Sequence, residues 1–144
     1  MENYVDPTRE QFGAMMKLPD AGPIHMLNLL KFRASAAYPD GHPEAGAART
    51  GAEAYALYGR DSAPIFKRVG GRIVYAAAPQ CMLIGPGDEA WDAAFVAEYP
   101  SAAAFAEMIK DPDYQRAVAH RQAAVETSRL VRMAPQQSGA TFAG

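Results

Sequence analysis

The chain has 144 residues, with 14 Lys and Arg against 16 Asp and Glu; it is sized for one domain and lacks the basic surplus that nucleic acid or an anionic membrane surface would require. It is 49% apolar and 21% charged, a globular rather than disordered balance, but thirty alanines leave the core to a modest set of large side chains. One cysteine rules out an intrachain disulfide and fits a reducing, cytoplasmic compartment, the first residues lack a secretory signal, and no apolar stretch approaches the ~20 residues of a membrane span.

Thr8-Arg9-Glu10-Gln11 has the Thr-x-x-Gln form of a capping box, and Phe12, Met15 and Met16 supply an apolar side, so a short helix is predicted over 8–17. Pro19 and Gly22-Pro23 end it. A strand follows over Ile24–Phe32. Ile24, Met26, Asn28, Leu30 and Phe32 point one way, and His25, Leu27, Leu29 and Lys31 the other. Both sets are mostly apolar, which predicts a strand covered on both sides.

Arg33 to Thr50 is rich in Ala, Gly and Pro and reads as a long irregular loop, of the kind that is usually functional or mobile. From Gly51 to Val69, Tyr55, Tyr58, Ser62, Ile65 and Val69 recur at spacings of 3 and 4, one face of a helix. Pro64 is expected to bend or divide it, and Gly70-Gly71 to end it. Arg72–Ile84 reads as a strand with Pro79 marking a bulge or an edge. After the Gly85-Pro86-Gly87-Asp88 turn, Trp91–Tyr99 completes a hairpin.

Ser101 caps the next helix, Asp111-Pro112 resets the cap for another to about Glu126, and a last strand is predicted over Thr127–Ala134. The tail, 135–144, is small, polar and irregular. The order is helix, then strand–helix–strand–strand–helix–strand. It predicts a single α+β domain: an N-terminal helical extension over 1–21, a ferredoxin-like core over 22–134, and the tail. Helices on one sheet face leave the other bare and apolar, and a second copy packed sheet to sheet is the simplest cover. A homodimer is therefore expected.

Met26-Leu27-Asn28-Leu29-Leu30-Lys31-Phe32, Tyr55-x-x-Tyr58, Gly70-Gly71-Arg72, Glu98-Tyr99-Pro100-Ser101 and Asp111-Pro112-Asp113-Tyr114 with Arg121 together resemble the domain of unknown function 1330 family, within the dimeric α/β-barrel superfamily. The resemblance implies a ferredoxin-like subunit that dimerises into an α/β barrel. It implies no particular reaction. Neighbouring families include cofactor-free monooxygenases, lactone isomerases and haem-handling enzymes, and a shared fold does not fix function.

Among candidate site residues, Arg121 shares a helical sector with Tyr114, Val118 and Val125. A guanidinium in an apolar stripe needs an anionic partner. It suits a substrate carboxylate or enolate, whereas the ordinary reading is an internal salt bridge to Glu98 or Asp92, or a reach to water. Asn28, on the apolar side of its strand, could polarise a carbonyl or simply satisfy a backbone group. His25 could serve as general base, and Lys31 shares its face. Tyr55, Tyr58 and Tyr114 could meet between helices and sheet and bind an aromatic or enolic ligand, or serve as ordinary packing.

Neither His25, His42 nor His120 has metal-ligand spacing, so no metal site is expected. Cys81 lacks an activating neighbour. No phosphate loop, dinucleotide fingerprint or nucleophile elbow is present, and no cofactor is called for. The expectation is a small cytoplasmic homodimer with a small-molecule ligand and neither nucleic acid nor membrane as partner. Its activity would be cofactor-free proton transfer, isomerisation or oxygenation on a small anionic carbonyl or aromatic compound. Arg121, Asn28 and His25 would be catalytic, and Lys31, Tyr55, Tyr58 and Tyr114 would bind substrate. The alternative is a non-catalytic ligand-binding or interaction dimer.

Overall fold

A computed structural model describes residues 2–144. Helix α1 (Arg9–Met16) begins where the sequence places it, with Thr8 accepting the Gln11 amide. The chain after it caps a distant helix: the Asp20 carboxylate accepts from the Ala102 and Ala103 amides, satisfying donors that the helix leaves unpaired. Strand β1 (Ile24–Phe32) has the predicted bounds.

Residues 33–50 form the expected long loop, pinned at both ends. The Arg33 and Ala37 amides donate to the carbonyls of Ala124 and Ala123, and the Ala36 amide to that of Arg49. Helix α2 (Gly51–Arg68) opens with a complete capping box between Thr50 and Glu53. Gly51 fits because it has no side chain: a Cβ there would lie 2.2 Å from the Arg33 carbonyl oxygen and 2.7 Å from that of Ala124.

Of the two outcomes expected at Pro64, bending or division, division does not occur: α2 runs through it. Pro64 is exposed while Ser62 and Ile65 beside it are buried, so water can solvate the carbonyl that loses its donor while the opposite face stays packed. Gly70, with φ of 89°, takes the left-handed turn after α2.

Strand β2 (Arg72–Ala77) is shorter than predicted, stopping two residues before Pro79. Proline cannot donate to a ladder, and the apolar residues beyond it, Leu83 and Ile84, are almost fully exposed. Strand β3 (Ala93–Tyr99) starts two residues later than expected, so Trp91 precedes it.

Ser101 caps α3 (Ala102–Lys110), and Asp111 caps α4 (Pro112–Ala124) by accepting from the Asp113 and Tyr114 amides. Strand β4 (Val125–Met133) follows without a loop, so α4 ends two residues earlier and β4 begins two residues earlier than predicted. Residues 135–144 contain no helix or strand and are exposed.

The sheet is antiparallel, in the order β2-β3-β1-β4, with α2, α3 and α4 filling the strand connections. This is the ferredoxin-like arrangement preceded by a helical extension. Ile24, Met26 and Leu30 on β1 are buried under the helices. One cluster gathers Ile24, Met26, Ile65, Tyr99, Phe105, Met108 and Tyr114. A second gathers Leu30, Ala54, Ala124 and Val125, with Phe32, Tyr38, Tyr55 and Phe95 at its border.

The other sheet face differs. His25 pairs across with Glu98 and Met133, Leu27 with Val96 and Val131, and Leu29 with Ala94 and Arg129. These side chains are half-buried or exposed, so β1 is covered by helices on only one side.

Glu2 and Tyr4, and Met15 and Pro19, are hydrogen-bonded to side chains of β4. The Tyr4 amide donates to the Thr127 hydroxyl, the Thr127 hydroxyl to the Glu2 carbonyl and the Ser128 hydroxyl to the Tyr4 carbonyl. Arg132 donates to the carbonyls of Met15 and Pro19.

Candidate functional site

Between the helices and the sheet, α2 presents Tyr55 and Tyr58 one turn apart, and α4 presents Tyr114 and Arg121 two turns apart. The spacing that makes each pair share a helix face brings them together. The Tyr55 and Tyr58 rings are 5.3 Å apart, those of Tyr58 and Tyr114 are 6.0 Å apart, and the Tyr58 and Tyr114 hydroxyls share a 2.7 Å hydrogen bond. Phe32 of β1 continues the row, 5.2 Å from Tyr55.

Burial pushes the phenols of Tyr55, Tyr58 and Tyr114 above the ordinary tyrosine range, and the positive charge of Arg121 opposes that rise at all three. All three are therefore neutral hydrogen-bonding groups near neutral pH, not bases.

Arg121 is half-buried. Its guanidinium donates to the Val5 carbonyl and, at 3.4 Å, to the Ser128 hydroxyl. Both acceptors are neutral. The anticipated salt bridge to Glu98 or Asp92 is not formed. Glu98 is taken by His25 at 2.8 Å and Arg72 at 2.9 Å, and Asp92 accepts the Phe32 amide. Among the described residues Arg121 pairs with no carboxylate, because the N-terminal extension, whose path no sequence spacing reveals, supplies the nearest acceptor.

Asn28 lies on the helix-facing side of β1, where its amide nitrogen donates to the Met26 carbonyl at 3.1 Å. His25 and Lys31 alternate onto the opposite face with Leu27 and Leu29. The fold thus does not bring His25 together with Asn28 and Arg121: the sheet separates them, and His25 is half-buried in a His25–Glu98–Arg72 hydrogen-bonded chain. Hydrogen bonds to His25 and Arg72 hold the Glu98 carboxyl below the usual glutamate range.

Sequence reading did not anticipate a second constellation. Tyr38 of the 33–50 loop lies with its hydroxyl 2.6 Å from His120 Nδ1. His120 Nε2 lies 3.2 Å from a carboxylate oxygen of Asp61 on α2. No spacing links positions 38, 61 and 120. The only prior sign was a histidine beside the apolar stripe of α4. Among the described residues no group of three His, Cys, Asp or Glu side chains is placed to hold a metal. A groove of about 400 Å³ opens at the far end of the sheet, lined in part by Gly22, Ile24, Glu98, Arg132 and Met133, none of them in either constellation.

Topology and register define the class, a ferredoxin-like α+β protein. The chain belongs to the family described as domain of unknown function DUF1330, whose model matches residues 45–134. It is 56% identical to the RPA0582 protein of unknown function from Rhodopseudomonas palustris, with a TM-score of 0.86 over 95% of this chain and 100% of that one; the methylated form of RPA0582 gives 0.87 at the same identity over 96% and 99%. SnoaB, a cofactor-independent oxygenase from Streptomyces nogalater, shares the fold at 16% identity and a TM-score of 0.52 over 84% of this chain and 100% of that one. The comparison with curated proteins finds no match.

Proposed function

We propose that this protein is a homodimer that receives a small organic anion, carbonyl or aromatic, at Arg121, with the tyrosines of α2 and α4 as its wall. One observation carries the reading. A half-buried guanidinium beside the buried Tyr114 and the half-buried Tyr55 and Tyr58 has only neutral acceptors, although charged groups in such settings ordinarily find an opposite charge. A carboxylate or enolate offers bidentate geometry that a single carbonyl does not. Of the Tyr58 and Tyr114 hydroxyls one donates to the other, which leaves the second O–H, on a neutral phenol, to donate to an oxygen of the same ligand. A subunit so built suits cofactor-free proton transfer, isomerisation or oxygenation. Arg121 and Asn28 would act on the ligand, and Tyr55, Tyr58 and Tyr114 would hold it. His25 and Lys31, on the other sheet face, would contribute only to the surface between copies.

The dimer reading is supported by the uncovered sheet face. Leu27, Leu29, Val96, Tyr75 and Val131 form an apolar field, flanked by His25, Glu98 and Arg72 at one end and Arg129 at the other. Tyr75 and Val131 are 63% and 47% exposed, more than an isolated subunit of this size gains by leaving open. The exposed Cys81 thiol fits the reducing cytoplasm.

Calorimetric titration with benzoate, 4-hydroxybenzoate and phenylpyruvate tests the site, with phenol as the neutral control. At least one carboxylate is expected to bind the wild-type protein, and Arg121→Gln to weaken it by tenfold or more, the cost of a lost charge-assisted pair. Equal binding to the variant, or no carboxylate binding at all, overturns the assignment.

A further inference from the structure

His120 is 8% exposed, and both ring nitrogens face titratable groups from other elements: the Tyr38 hydroxyl at Nδ1 and Asp61 at Nε2. His42 of the loop stacks on Tyr38 with centroids 4.7 Å apart and meets His120 edge-on at 5.6 Å. The other charges nearby are already paired, Glu44 with Arg49 at 2.6 Å and Arg60 with Asp61 at 2.8 Å.

The chemistry of this chain follows from its donors and acceptors. The ionised Asp61 carboxylate only accepts, so Nε2 of His120 carries a proton in either charge state. When the ring is neutral, Nδ1 accepts from Tyr38 and the outer lone pairs of the phenol oxygen can accept from a ligand. When the ring is protonated, Nδ1 donates to Tyr38 and the phenol hydrogen is released outward. Both states satisfy every member, so the charge of His120 changes without breaking the contact that fastens the loop to α4. Only the direction of the Tyr38 O–H changes. A purely structural bridge has no need of that property, and a hydroxyl–imidazole–carboxylate chain that moves protons requires it.

We propose that Asp61, His120 and Tyr38 form a proton relay, with the Tyr38 hydroxyl as the catalytic end and His120 and Asp61 as positioning residues, acting on an enolisable anionic carbonyl compound. The choice of an anion rests on the reading of Arg121 above; the relay rests on its own geometry. In ketonisation of an enol, the Tyr38 O–H proton forms the new C–H bond and the His120 Nδ1 proton moves onto the Tyr38 oxygen. The enol O–H proton leaves to water, and water returns a proton to His120. No electron is transferred and no further reactant is consumed.

The test follows tautomerisation of phenylpyruvate enol by its ultraviolet absorbance, with binding of phenylpyruvate measured in parallel. The wild-type protein is expected to accelerate ketonisation above buffer. Tyr38→Phe, which keeps the ring stacked on His42, is expected to lower kcat by about 100-fold or more, the usual scale of general acid–base catalysis, with binding unchanged. His120→Gln should do the same. Asp61→Asn should lower kcat as well, and Asp61→Glu, which keeps a carboxylate at Nε2, should restore most of it. A structural role would show as lost stability, with kcat unchanged in the folded variants. Binding without acceleration, undiminished kcat in Tyr38→Phe, or undiminished kcat in Asp61→Asn overturns the relay and leaves the Arg121 reading standing. Loss of binding only in Arg121→Gln supports that reading independently, and absence of both binding and acceleration overturns both.

Discussion

Arg121 and its neighbours show how far one side chain can be followed from sequence to environment. Helical spacing places the guanidinium on the same side of α4 as Tyr114, and the structure puts it there. Its acceptors were not legible, because Val5 belongs to an extended segment whose contact with α4 has no periodic signature. Asn28 and His25 fall on opposite faces, as strand alternation requires, so two residues three apart on one strand belong to different environments. Tyr38 and Asp61 were missed altogether, since only the folded loop brings them to His120. Glu98 carries a pH prediction. Its partners, first His25 and then Arg72, depress its carboxyl below the usual range of about 4.3, so its stabilising contribution is complete above that range and is lost as pH falls through the lower, folded-state value. Urea midpoints from pH 7 to pH 3 should therefore fall more steeply for the wild-type protein than for Glu98→Gln. Parallel curves would remove Glu98 from the acid response.

At the level of elements, most boundaries were readable because they are set by local chemistry. Thr8, Thr50, Ser101 and Asp111 each accept a backbone amide at a helix start, and Gly70 supplies the turn out of α2. The departures come from tertiary context. Apolar residues after Pro79 suggested a longer β2, but no neighbouring strand pairs with them. Propensity argued that Pro64 should bend or divide α2, and burial of Ser62 and Ile65 beside it holds the helix undivided through it. The proline is thus a local defect carried by its surroundings. Pro64→Ala, at an exposed position, restores one helical hydrogen bond and removes a steric conflict, offset partly by a more flexible unfolded chain. It should stabilise the protein by about 1–2 kcal/mol, read as a raised midpoint in urea with an unchanged slope. An unchanged or lowered midpoint would mean that the helix is already relaxed around the ring.

The molecule as a whole has one sheet face sealed by helices and the other carrying a band of Leu, Val and Tyr. Strand order and the one-sided placement of helices were legible from the alternation of elements along the chain. The bare apolar second face was legible too, because β1 is apolar on both sides while the helices fall on only one. Leu29, at the middle of β1 on that face, gives the direct test of association. Leu29→Glu places a carboxylate near its symmetry mate if two copies pack sheet to sheet. Light scattering should report twice the subunit mass for the wild-type protein at micromolar concentration and one subunit for the variant, with far-ultraviolet dichroism unchanged. A wild-type monomer would sink the dimer reading.

The two borders of the sheet are unequal. The N-terminal extension shields β4, through Tyr4 on Thr127 and Ser128 and through Arg132 on Met15 and Pro19, whereas β2 presents Ile73 and Tyr75 to solvent at 49% and 63% exposure. Linear polymerisation of strands needs two reactive borders on every copy. The extension engages the Thr127, Ser128 and Arg132 side chains along β4, so the two borders of this sheet are not equivalent, and β2 is the more open of the two to an added strand.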